Sequence, residues 1–168
     1  KPGEYKIDKD SSTVEVIKKL NNHEIVIHNV VIFRGWTVKD IIKCLNERND
    51  LCGEISQEIK EGEILSGKYE FVYPTSKNGI LTIMKEKSLA TYEKLWNERS
   101  ENCAVKSLPQ ALILSSIVAK EAMVEEDINL VASVFTNRLK INMPIQSDPT
   151  IFYAMNEENL KMPFREFI

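Results

Sequence analysis

Histidine, cysteine and glycine are all scarce in this chain, and each scarcity removes a class of chemistry. The 168 residues include two histidines, His23 and His28. Both lie in a strand-like stretch, where a sheet-face position is expected rather than a base or a metal ligand. The three cysteines, Cys44, Cys52 and Cys103, form no CxxC pair, which argues against a zinc site or a disulfide framework. A Cys44–Cys52 pair is sterically conceivable, but free, partly buried thiols are the expectation. The six glycines are scattered singly, so there is no phosphate-cradling loop and no GxSxG elbow. Net charge is −3 without a basic block, which argues against nucleic acid as a partner. The longest apolar runs, IVIHNVVIF and ALILSSIVA, are too short to cross a bilayer. KPGEY at the start reads as the continuation of a longer sequence, so any targeting or anchoring segment is expected outside these residues.

What remains is an ordinary globular composition, 43% apolar and 28% charged. The patterning predicts an α+β protein: a small N-terminal α+β lobe, residues 1–74, followed by a mainly helical lobe, residues 75–168. In the first lobe, Glu4 to Ile7 reads as a strand, Ser12 or Thr13 as the cap of a short helix, and 24–33 as one or two strands. Thr37 opens a helix carrying Val38, Ile41, Ile42 and Leu45 on one face. A further short helix is expected near 54–60, then a strand over Lys68–Tyr73 closed by Pro74. The turn-rich segment 73–79, YPTSKNG, is the expected boundary. Beyond it come a long amphipathic helix over 79–99, a helix from Pro109 to about Ala122, and one from Glu125 or Glu126 that breaks at Met143-Pro144. Asp148-Pro149 signals a last helix start.

One polar residue breaks this apolar patterning. Counting back from Glu121 by three, four and seven residues gives Val118, Ile117 and Leu114, so Glu121 projects from the face expected to be buried. A carboxyl held among apolar neighbours ionises reluctantly and suits general-acid work, for which glycoside cleavage is the leading reaction class. A Glu near a helix end also reaches solvent or pairs with a cation such as Arg138, and that structural role stands beside the catalytic one. Asn137 shares the next helix with Arg138. Gln146, Ser147 and Asp148 occupy a turn placed to fold over Glu121. Asp148 has a ready role as a helix cap, whereas Gln146 has none and suits a sugar hydroxyl or N-acetyl group.

SSIVAKEA at 115–122 and VASVFTNRLKINMPIQSDPTIFYA at 131–154, in that order and spacing, resemble the membrane-anchored endolytic murein transglycosylases, the YceG-like family. Weaker echoes are KPGEYKI, VVIFRGWTVKDIIKCL and EGEILSGKYEF. The resemblance implies a lytic transglycosylase that cleaves the β-1,4 bond between N-acetylmuramic acid and N-acetylglucosamine within peptidoglycan strands, leaving 1,6-anhydromuramic ends. It matches Glu121 to the catalytic glutamate and Gln146 to the substrate-lining glutamine, with Ser147, Asp148 and Thr150 beside it as substrate-binding candidates; Asn137, from its place on the helix, is a further one.

The same resemblance implies a LysM-like module in the N-terminal lobe and a single transmembrane helix outside these residues. The enzyme would sit on the bacterial plasma membrane facing the periplasm or outer surface. No cofactor or metal is implied, and cell-wall synthesis enzymes are the expected protein partners. A C-terminal part of the family fold is expected beyond these residues. Ala119 replaces the acid usual two residues before the catalytic one, Arg34 stands where a glutamate usually precedes the glycine, and Ser66-Gly67-Lys68 replaces a proline-aspartate-threonine run. Two other functions remain open at this point: a non-catalytic peptidoglycan-binding scaffold, and a muramidase pairing Glu121 with Asp148 or Asp127.

Overall fold

A computed structural model describes residues 2–157 of the chain. Its described residues form six α-helices and four short strands, an α+β architecture. In order these are α1 (Thr13–Asn21), β1 (Ile27–Ile32), α2 (Val38–Asn46), β2 (Leu51–Cys52), β3 (Gly67–Val72) and β4 (Thr75–Ser76). They are followed by α3 (Lys77–Asn97), α4 (Leu108–Glu121), α5 (Ile128–Lys140) and α6 (Asp148–Glu157). The chain divides into two compact units, one ending at Thr91 and the other beginning at Tyr92.

The first unit is built around the antiparallel pair β1–β3. Alternation along each strand sends Val30, Ile32, Tyr69 and Phe71 inward, and the register sets Val30 opposite Tyr69. Helix α2 starts at a capping box, in which the Thr37 hydroxyl accepts from the Asp40 N–H and the Asp40 carboxylate accepts from the Thr37 N–H. Its buried face supplies Ile41 and Leu45. The first half of α3 adds Ile80, Leu81 and Met84, all fully buried. The one buried polar side chain of this helix is satisfied: the Ser88 hydroxyl donates to the Met84 carbonyl at 2.7 Å and accepts from the Leu65 N–H at 2.9 Å. Nearby, the Tyr69 hydroxyl donates to the Leu65 carbonyl at 2.6 Å, and burial pushes this phenol above its ordinary pKa.

Several expectations shift. The turn-rich segment 73–79 contains β4 and the start of α3, and the first unit runs past it to Thr91. Segment 54–60 is not helical. Its Ile55 and Ile59 pack against the core, while the Asn78 side chain takes over its backbone, accepting from the Ser56 and Gln57 N–H groups and donating to the Glu54 carbonyl. Those tertiary hydrogen bonds replace the intrahelical ones of the expected helix. Glu4 to Ile7 forms one bridge, Tyr5 with Ile25, rather than a strand. Of the two histidines expected on a sheet face, His28 is in β1, stacked on Phe71 with carboxylate oxygens of Glu4 and Asp50 at 2.6 and 3.2 Å, whereas His23 sits in the left-handed turn after α1, φ 55°. All three cysteines are free, and burial raises the Cys44 thiol above its ordinary pKa.

In the second unit α4 contacts both α5 and α6. Val118, Ala122, Phe135 and Ser147 are its buried side chains among the described residues. Among the described residues no helix is long and apolar enough to cross a membrane.

Candidate active site

Local sequence fixes where α4 ends, and Glu121 is its last residue. At its start the Ser107 hydroxyl accepts from the Gln110 N–H and Pro109 occupies the first turn. At its end Ala122 leaves helical geometry, with ψ at 106°, while its N–H still bonds the Val118 carbonyl. Of the apolar stripe beneath Glu121, Val118 is buried, whereas Leu114 and Ile117 are half-buried. Glu121 itself is half-buried, less enclosed than the periodicity implies.

The returning segment is shaped by the end of α5. Asn142 adopts the left-handed conformation, φ 54°. Its N–H bonds the Leu139 carbonyl, and the Met143 N–H bonds the Arg138 carbonyl. That pair of bonds is a Schellman motif, so the helix is stopped at Asn142 before Pro144 is reached. The Arg138 guanidinium then donates to the Ile145 carbonyl, folding the segment back. Gln146 is also left-handed, φ 52°, a conformation that is costly for a residue with a Cβ.

Beyond that turn, Ser147 reaches α4. Its side chain is 4% exposed, and its hydroxyl donates to Glu121 Oε1 at 2.6 Å. The Ser147 carbonyl accepts both the Thr150 hydroxyl, at 2.6 Å, and the Thr150 N–H, at 3.1 Å. The turn–acid juxtaposition expected from sequence is therefore present, made by Ser147. Gln146 is exposed beside it. Asp148 is the first residue of α6 and exposed, as is Thr150. Asn137 is exposed on α5. Arg138 bonds the Ile145 carbonyl, a part that sequence reasoning did not give it. The Ser147–Glu121 contact spans 26 residues, and no periodicity announces it.

The chain matches the YceG-like family over residues 1–166. It is 30% identical over 119 residues to the endolytic murein transglycosylase of Bacillus subtilis (strain 168), covering 70% of this chain and 32% of that protein. A second relative, the endolytic murein transglycosylase of Streptococcus pneumoniae serotype 2 (strain D39 / NCTC 7466), is 26% identical over 202 residues, covering 94% of this chain and 36% of the relative. The chain thus spans about a third of the length of these curated relatives. With the match running through nearly all of its residues, the chain belongs to the YceG-like family.

Proposed function

We propose that this protein is a peptidoglycan lytic transglycosylase in which Glu121 serves as both general acid and general base. The observation that carries this reading is the Glu121 carboxyl at the end of α4, met by the Ser147 hydroxyl from the family-matching segment. The names of the relatives supply the substrate, murein. Protonated Glu121 donates to the glycosidic oxygen as the bond from N-acetylmuramic acid C1 to that oxygen breaks and positive charge develops on the ring. The carboxylate left behind accepts the proton of the same sugar's C6 hydroxyl, whose oxygen bonds to C1 and closes the 1,6-anhydro ring. The proton is thereby returned to the acid, and no water is consumed. A hydrolase needs two carboxyl groups roughly 5–9.5 Å apart, whereas this cycle needs one.

Gln146 and Asn137, both exposed, are proposed as substrate ligands, as is Asp148, which follows Gln146 closely in the chain. A left-handed glutamine with its side chain exposed fits a residue retained for its amide rather than for its backbone preference. The antiparallel β1–β3 pair flanking α2 supports a LysM-like, glycan-holding role for the first unit, in which segment 54–60 is non-helical. Action on murein supports a location outside the cytoplasm, and membrane anchoring and contact with cell-wall synthesis enzymes are proposed with it.

Mass spectrometry of products released from purified sacculi tests the reading. Anhydromuramic ends are expected. Reducing ends would replace it with a two-carboxylate muramidase, and sacculus binding without products would replace it with a scaffold.

A further inference from the structure

The geometry points to Ser147 as the positioning residue for Glu121: its buried hydroxyl occupies Oε1 and leaves Oε2 as the oxygen that exchanges protons with the substrate. This inference rests on the acid–base reading of Glu121 and assigns its two oxygens different work. A protonated carboxyl carries its hydrogen on one oxygen. Oε1 accepts the serine O–H at 2.6 Å, and in a neutral carboxyl the carbonyl oxygen is a better acceptor than the hydroxyl oxygen, so this bond favours Oε1 as the carbonyl. The acidic proton therefore resides on Oε2, which donates to the glycosidic oxygen and later receives the C6 hydroxyl proton. Through both half-reactions the Ser147 bond persists, because Oε1 accepts whether the carboxyl is neutral or ionised.

Such a role requires that Ser147 be fixed, and it is held from both sides. Upstream, Arg138 holds the Ile145 carbonyl and Gln146 makes its left-handed turn. Downstream, the Thr150 hydroxyl and N–H both bond the Ser147 carbonyl. At 4% exposure, with its proton donated to Glu121, the Ser147 hydroxyl has little left to offer a sugar. Thr150, whose own hydroxyl is taken by that carbonyl, supports the serine rather than the substrate. Carboxyl orientation of this kind is worth a large factor, since a misplacement of about 1 Å costs on the order of 100-fold in rate.

The test compares Ser147→Ala, Ser147→Cys and Ser147→Thr by two readouts: turnover of soluble glycan strands of defined length, and the carboxyl carbon NMR signal of Glu121 without substrate. Alanine is expected to lower kcat about 10- to 100-fold with KM little changed, and to move the carboxyl signal. Threonine, which keeps the hydroxyl, should restore both. Cysteine, similar in shape but a weak donor, should behave as alanine does and stands in for it if alanine lowers the melting temperature. A raised KM at unchanged kcat would make Ser147 a substrate ligand and overturn the proposal. An unmoved carboxyl signal in Ser147→Ala would overturn it without reference to activity. Full turnover by Glu121→Gln would instead remove the acid reading beneath it, and the NMR arm separates that failure from the serine's.

Discussion

Eleven buried apolar side chains form one cluster in the N-terminal unit, from Val30 through Met84. In the unit beginning at Tyr92, the buried side chains among the described residues are three apolar ones and Ser147, while Ile113, Leu130 and Ile141 are each more than 60% exposed. Shape in the first unit comes from enclosed apolar mass, with polar groups such as Ser88 absorbed into it. Around Glu121 it comes from individual polar ties: Ser147 to the acid, Arg138 to Ile145, and Thr150 to Ser147. The contrast has a physical basis. Burying an unpaired acid in an apolar core is costly, whereas the acid–base role proposed for Glu121 requires a carboxyl that stays reachable. Hydrogen bonds set direction where packing sets only proximity. Substitutions in the two units should therefore fail differently, one through the fold and the other through the geometry of a single carboxyl.

The sharpest contrast is a pair of truncations. Leu45→Ala, in the first core and fully buried, should lose about 2–5 kcal/mol in denaturant unfolding. Ile113→Ala, 63% exposed on α4, should change stability by no more than about 0.5 kcal/mol. Equal losses would erase the distinction between the units. Next in size is Asn142→Val. A β-branched residue in the left-handed position that stops α5 should cost about 1–2 kcal/mol, and Asn142→Gly should cost almost nothing.

Gln146 separates backbone from side chain. Gln146→Gly relieves the left-handed strain and should keep or raise the melting temperature by an amount worth about 1 kcal/mol or less, yet weaken turnover by removing the amide. Unchanged turnover would leave Gln146 as a turn residue alone.

The smallest effect is a pH dependence confined to the first unit. The Arg48 guanidinium, bonded to Asp50 at 2.8 and 2.5 Å, holds that carboxyl below its ordinary value of 3.8. A folded-state value below the unfolded one stabilises the fold above pH 3.8 and loses that contribution as pH falls through the folded value. Asp50→Asn should flatten the acid limb of the stability curve slightly. An acid limb identical to that of the wild type would show that the Arg48–Asp50 pair contributes nothing.

Much of the local structure was legible because its causes are local. Thr37 predicts the start of α2, Pro109 predicts the first turn of α4, and alternation over Lys68–Tyr73 predicts β3. Segment 54–60 misled because Ile55 and Ile59 have helical spacing, while the competing partner, Asn78, lies more than 20 residues away. The lobe boundary was misplaced for a related reason: turn formers at 73–79 mark a change of direction, not the edge of a core that takes in Ile80, Leu81 and Met84. At the candidate site, Glu121 is legible as a polar break in an apolar stripe. Ser147 was visible as a neighbour of the turn, but its bond to the acid depends on two left-handed residues and an arginine-held carbonyl. Nothing in the periodicity of the chain encodes those.

The acid role of Glu121 is decided by comparing Glu121→Gln with the unaltered protein on purified sacculi. The substitution keeps the size of the side chain and removes its acidic proton. An unchanged melting temperature and anhydromuropeptide release lowered by at least about 100-fold are expected. Anhydromuropeptides released by the folded glutamine variant at the rate of the unaltered protein would contradict that role.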